Sequence, residues 1–181
     1  MESTRSAPLD GTPDPAKAHA GGHEIRADIA GVRIRDLTPI LDDRGETCEL
    51  WTAAWGLGDP PPHVYLATVE AGVAKAWIVH DRQHDRLALV SGRMLVVMYD
   101  DRPGSPSRGT VLEVSGGERR RRLVEIPPGV WHGVQNIGTA EAMFVNLPTR
   151  PYDYDAPDKR RLPADTDAIP FRFRGASPRS G

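Results

Sequence analysis

Two short segments constrain this chain more than any other feature. The first reads Gly72-Val73-Ala74-Lys75-Ala76-Trp77-Ile78-Val79-His80 and is followed by Asp85 and Gly92. The second reads Pro127-Pro128-Gly129-Val130-Trp131-His132-Gly133-Val134-Gln135-Asn136. Each is a β-type run bounded by the residues that make turns, which argues for strands rather than helices. Strand side chains alternate between faces, so Ile78 and His80 point one way while Trp77 and Val79 point the other. Asp85 opens the next run, with Leu87 and Leu89 following it at period two. In a small barrel such positions line the interior, where a ligand can be enclosed.

The remainder of the chain breaks up in the same manner. Strand-like runs cover residues 32–37, 47–54, 63–70, 74–80, 85–90, 93–99, 110–114, 122–126, 133–136 and 142–147, which is the spacing of an all-β sandwich or barrel. Ser91-Gly92 reads as a hairpin turn and residues 101–106 as a longer loop. A short helix is expected only over residues 156–162. At 181 residues the chain is long enough for one domain with a core and too short for two ordinary ones. Residues 1–22 have almost no large apolar side chains and read as a disordered arm, residues 23–172 as the domain, and residues 173–181 as a flexible tail.

Charge and cysteine content narrow the function. The 23 basic and 25 acidic residues nearly cancel, so no general pull toward nucleic acid or a membrane surface is implied, and a small-molecule substrate is the expectation. The single cysteine, Cys48, excludes an intramolecular disulfide and a thiolate cluster, and its strand setting makes it a small buried apolar residue. No apolar run approaches the roughly 20 residues of a membrane span, nor is there a signal-peptide pattern. The expectation is a soluble cytoplasmic protein.

The two segments resemble the two sequence motifs of the cupins. The first matches at every interval (G, five residues, H-x-H, four residues, an acid, six residues, G) except that Ile78 stands where the first histidine falls; the second is complete. Further stretches extend the likeness: Asp42-Asp43-Arg44-Gly45-Glu46-Thr47-Cys48-Glu49, Tyr99-Asp100-Asp101-Arg102-Pro103-Gly104-Ser105-Pro106-Ser107, and Arg150-Pro151-Tyr152. Together they resemble the dTDP-4-dehydrorhamnose 3,5-epimerase family, from about residue 34 to 171. The resemblance implies an RmlC-like cupin, a jelly-roll barrel that works without metal as a homodimer exchanging strands or arms. Its reaction is epimerisation of a nucleotide-linked 4-keto sugar, with a histidine removing the proton beside the ketone and a tyrosine assisting reprotonation. The family's base lies in an Arg-Gly-x-His stretch, here Lys75-Ala76-Trp77-Ile78. Its tyrosine falls in a region that here reads Met143-Phe144-Val145-Asn146. A side branch of the family, with Lys-Gly-Trp-His-x-His, is closer to this chain but also has histidine at 78.

The resemblance also implies that the Pro-Pro-Gly turn delivers His132 into the cavity with His80 and Asp85. As acid/base groups, His80 is a base or hydrogen-bond donor, His132 a second polar contact and Asp85 the orienting carboxylate, while Tyr65, Tyr152 and Tyr154 are candidate proton donors, with Tyr65 favoured because its strand borders the first motif. As ligands, His80, Asp85 and His132 form a two-histidine, one-carboxylate set suited to iron(II) or another divalent metal, with His84 as a possible extra ligand. A third reading is that the histidines are only hydrogen-bonded polar residues in a wet cavity. By the same resemblance Arg44 binds the nucleotide diphosphate, Glu49 matches a family acid, His63 stands for a glutamine and Lys75 for an arginine. Trp77 is a candidate substrate contact, with Trp51, Trp55 and Trp131 either extending an aromatic wall or packing in the core. Asp100 and Arg102 are expected to hold their loop together. Arg119 to Arg122, with Lys159, Arg160 and Arg161, form basic patches that bind phosphate or an acyl carrier protein, or are simply solvated.

The leading expectation is a cofactor-free isomerase or epimerase, or a related proton-transfer lyase or cyclase, acting on a carbonyl-bearing small molecule such as a nucleotide-linked keto sugar. The alternatives are a metal-dependent cupin oxygenase and a non-catalytic sugar-nucleotide binding module.

Overall fold

A computed structural model describes residues 29–175; the arm expected over residues 1–22, and the expected tail beyond residue 175, lie outside them. Two five-stranded antiparallel sheets face each other. One has the order β1 (Arg33–Asp36), β9 (Arg122–Ile126), β6 (Asp85–Ser91), β11 (Ala142–Asn146), β4 (Tyr65–Val69). The other runs β12 (Arg160–Arg161), β5 (Ala74–Val79), β10 (Val130–Asn136), β7 (Arg93–Asp100), β8 (Val111–Gly117). A separate hairpin pairs β2 (Ile40–Asp42) with β3 (Gly45–Thr47). This is the all-β architecture expected from the spaced runs and the jelly-roll that the resemblance implies.

Three apolar layers hold the sheets. Leu87, Leu89, Met94, Val96, Met98 and Val124 fill the space between them. On the outer face of the first sheet Leu37, Leu57, Ala88, Leu123 and Leu147 are covered by Trp51 and Trp55. On the outer face of the second, Trp77, Val97 and Ile169 pack with Phe171 and Phe173. Because both faces of β6 and β9 are covered, their first five residues and all five residues respectively are buried, and their sequences read as continuous rather than alternating runs.

Two elements depart from expectation. The strand expected over residues 47–54 stops at Thr47; the chain then runs irregularly into one 3-10 turn, Ala53–Trp55, with Thr52 at its start. Here Trp51 and Trp55 are used as a cap over the first sheet, and tertiary burial overrides local strand propensity. The helix expected over residues 156–162 does not form. Arg160 and Arg161 pair instead with Val79 and Ile78 on the edge of β5, flanked by Pro157 and Pro163, which disfavour helix at both ends.

Among the described residues no helix is long and apolar enough to cross a membrane.

Candidate active site

The interior positions of β5, β6 and β10 meet as the alternation requires. His80 and His132 have ring centroids 6.0 Å apart, and Asp85 lies between them at the start of β6. Oδ2 of Asp85 is 3.1 Å from Nε2 of His132 and 3.3 Å from Nε2 of His80. Its other oxygen, Oδ1, accepts hydrogen bonds from the amides of Gln83 at 2.8 Å and Asn146 at 3.1 Å. Asn146 also bonds the phenol oxygen of Tyr65 at 2.8 Å, so one polar chain runs from Tyr65 to both histidines.

Backbone anchors fix the rings. Nδ1 of His132 bonds the carbonyl of Val130 at 3.0 Å, and Nδ1 of His80 bonds the carbonyl of Asp158. A carbonyl only accepts, so both Nδ1 atoms carry hydrogen, and in neutral rings both Nε2 atoms would turn lone pairs toward a carboxylate oxygen. A cation, either a proton on a ring nitrogen or a metal ion, would satisfy these contacts, and the Gln83 amide, 3.3 Å from Nε2 of His80, offers that nitrogen a donor as well. Burial works against charge on Asp85, but the hydrogen bonds and charges of His132 and His80 outweigh it and hold its carboxyl far below the usual range. Burial likewise opposes charge on His80, and Asp85 with Asp158 outweighs it, lifting the imidazole above its ordinary value. Burial, aided by the charge of Asp85, raises the Tyr65 phenol and keeps it protonated.

The trio also fits a metal ion. Its donor atoms lie within 4.8 Å of one another, and imidazoles anchored through Nδ1 on backbone carbonyls are arranged as ligating histidines are. His84 contributes no further ligand, since its ring lies 3.2 Å from Glu125.

Two connected spaces serve the trio. A cavity of about 560 Å³ between the sheets is bordered by Lys75, Ile78, Asp85, His132, Phe144 and Asn146, and also by Tyr65 and Arg161. A smaller one of about 180 Å³ shares Tyr65 and Ile78 and adds His63, His80 and Lys159. Ile78 thus faces the cavity where the resemblance puts a base, and Phe144 and Asn146 occupy the region of the missing tyrosine. Tyr65, paired with Asn146 across β4 and β11, brings a phenol to that region from the neighbouring strand.

Other sequence candidates lie elsewhere. Trp77 is fully buried on the outer face, 4.9 Å from Phe173 and 6.1 Å from Phe171 between ring centroids, so it is not a substrate contact; strand alternation turns it away from Ile78. The four tryptophans divide between the two outer clusters and form no wall. Glu49 is exposed on an outer groove with Trp55. Arg44 is exposed at the tip of the β2–β3 hairpin, where it bonds Asp42 at 2.5 Å. Within a single chain neither reaches the cavity. Asp100 and Arg102 hold their loop, as expected: the buried carboxylate accepts from Arg102, Ser105 and Ser107. Sequence reasoning missed Gln83, Asn146 and Asp158, since nothing local marks a residue that orients a distant side chain.

A two-sheet jelly-roll enclosing a buried His-Asp-His cluster is a cupin barrel, and comparison with known proteins places it among the sugar epimerases. No family model matches the chain. It is 36% identical over 139 residues (76% of this chain, 89% of the relative) to the protein named probable low-salt glycan biosynthesis epimerase Agl13 of Haloferax volcanii. It is 32% identical over 145 residues (80% and 96%) to the spore coat polysaccharide biosynthesis protein SpsL of Bacillus subtilis. Among solved structures, a dTDP sugar isomerase from Desulfovibrio desulfuricans superposes with a TM-score of 0.76 at 28% identity, covering 82% of this chain and 94% of that one. The chain belongs to the RmlC-like dTDP-sugar epimerase family of cupins, and it is an isomerase/epimerase-like enzyme.

Proposed function

We propose that the protein epimerises or isomerises a nucleotide-linked 4-keto sugar by proton transfer beside the ketone, without a metal. The observation that carries this reading is the hydrogen-bonded chain Tyr65–Asn146–Asp85 with His80 and His132. Its ring tautomers accommodate a cation at Nε2, and the raised His80 imidazole supplies one as a proton. A ketone oxygen seated beside the His80 ring is stabilised by the imidazolium charge as enolate charge develops, while the Nε2 proton stays hydrogen-bonded to Asp85, which keeps the imidazolium charged throughout. Tyr65, held as a phenol, is the donor that returns a proton. His63 and Lys75, on the cavity walls, contact the sugar nucleotide. His80 thus acts as an electrostatic stabiliser rather than as the base. The enzyme works as a homodimer, in which Arg44 reaches the diphosphate from the partner.

The test is deuterium wash-in from D2O into dTDP-4-dehydrorhamnose, followed by mass spectrometry, alongside the metal content of wild type, His80→Ala and His132→Ala. Exchange by a metal-poor wild type that falls at least 100-fold in both variants is expected. Absence of exchange overturns the substrate reading. Metal near one equivalent that disappears in both variants replaces the proton with a metal ion, which would polarise the ketone as a Lewis acid.

A further inference from the structure

The reading above leaves the site with acids but no base: Ile78 cannot accept a proton, and His80 has Nδ1 bonded to a carbonyl and Nε2 committed to Asp85. The segment after β11 supplies a candidate. Asp158 anchors it, its carboxylate accepting the backbone N–H groups of Asp81, Arg82 and Gln83 at 3.0, 2.9 and 3.0 Å, while its carbonyl holds His80. Two residues on, β12 pairs Arg160 with Val79 and Arg161 with Ile78. Lys159 is pinned between these two anchors, with its own N–H on the carbonyl of Pro157 at 2.8 Å.

Alternation along this strap sorts its three cations. Arg160 faces out, 2.5 Å from Asp81 and with its guanidinium 5.8 Å from the centre of the Trp131 ring. Lys159 and Arg161 face in, Lys159 bordering the smaller cavity with Ile78, His80 and Tyr65, and Arg161 bordering the larger. We propose that Lys159 is the catalytic base of this enzyme, its amine brought by the C-terminal strap to the space that isoleucine leaves at position 78. The inference rests on the proton-transfer reading above.

The step balances without a cofactor. The Lys159 amine takes the proton from the carbon beside the ketone, the C–H electron pair becomes the enolate double bond, and the ketone oxygen takes the charge beside the His80 imidazolium. Tyr65 then protonates the carbon, and solvent returns its proton and removes the one on Lys159. The titratable and charged groups around the amine are His63 just before β4 and Tyr65 at its start, His80 and Arg82 after β5, Asp85 on β6, and Arg150, Tyr152, Asp153, Asp158 and Arg161 of the segment after β11. Burial lowers the ammonium from its ordinary value, Arg161 adds to this, and Asp85 opposes it. An amine lowered in this direction is better suited to accept a proton than a free lysine.

Lys159 is exposed at the cavity rim, so Lys159→Met and Lys159→Arg are expected to fold, which thermal melting checks. If Lys159 is the base, both variants lose deuterium wash-in by roughly 10²- to 10⁴-fold, and the ascending limb of the wild-type pH–rate profile vanishes. Exchange in Lys159→Met within about threefold of wild type overturns the proposal. Competitive acetylation separates failure of the base from failure of the substrate reading, because it needs no turnover. The chain has three lysines, Lys17, Lys75 and Lys159, so mass spectrometry follows each one. At pH 8, Lys159 is expected to acetylate severalfold faster than added Nα-acetyl-lysine and to be protected by dTDP. If wild type exchanges no deuterium, a fast and protected Lys159 supports a base for another carbonyl substrate. A slow or unprotected one overturns the proposal.

Discussion

Asp85 shows how much a single buried carboxylate can organise. It sits almost without solvent exposure, yet four side chains place hydrogen-bonding nitrogens on its two oxygens: His80, His132, Gln83 and Asn146. Period-two alternation put Ile78 and His80 on one face, while the meeting of His132 with His80 and Asp85 was expected only from the family resemblance. The anchoring of His80 was legible in neither, because Asp158 lies 78 residues further along the chain and no local pattern encodes that meeting. The pairing has a pH signature with a definite sign. His80 has a folded-state value above its ordinary 6.5, so its contribution to stability is full below about 6.5 and is lost as pH rises through the raised value. Asp85 is shifted below 3.8, so its contribution is full above about 4 and is lost in stronger acid. The stability difference between wild type and His80→Gln is therefore expected to be largest between about pH 4 and 6.5, at roughly 1.5–3 kcal/mol, and to shrink toward pH 9. Urea denaturation across that range measures it, and a difference that grows with alkalinity would show that His80 is not the charged partner of Asp85.

Strand positions were easier to read than their neighbours. β4 to β11 are bounded by glycine, proline or polar turns, and local chemistry located them. The segments around residues 47–54 and 156–162 owe their shape to the surfaces they cover, so their own sequences misled. Between β5 and β10 the register shifts between His132 and Val134, and Gly133 lies at the shift. A Cβ there would stand 2.4 Å from Cβ of Ala76 and 3.1 Å from the Phe173 ring. The close approach keeps His132 against Ile78 and Trp77 under Phe173. Gly133→Ala is expected to cost on the order of 1–3 kcal/mol, the usual range for overpacking. Ala76→Gly in the same chain should return most of it, since it removes the methyl group that clashes. A double-mutant cycle by chemical denaturation measures the coupling, and simple additivity would mean that the strain lies elsewhere.

At the scale of the whole molecule, one element has no place in either sheet. The β2–β3 hairpin pairs only with itself, exposes Ile40 at 73% and Leu41 at 71%, and carries Arg44 in its turn. An ion pair between Glu46 and Arg121 ties it to the barrel. The edge strand β4 and the residue before it expose Leu66 and Val64. Isolated two-stranded hairpins are marginal in water, and adjacent exposed apolar pairs mark an interaction surface. A second copy of the chain fits both observations, with the hairpin laid on the partner's barrel and Arg44 carried toward the partner's cavity, where a guanidinium suits a diphosphate. Light scattering is expected to give twice the chain mass for wild type, and Ile40→Glu with Leu41→Glu is expected to yield monomer. Arg44→Ala should leave the dimer intact while weakening dTDP binding by roughly 10-fold, the loss of one charge-assisted contact of about 1.5 kcal/mol. If the monomeric double variant bound dTDP as tightly as wild type, Arg44 would play no part across the interface. A wild type of single-chain mass would leave the hairpin as a surface feature of the monomer.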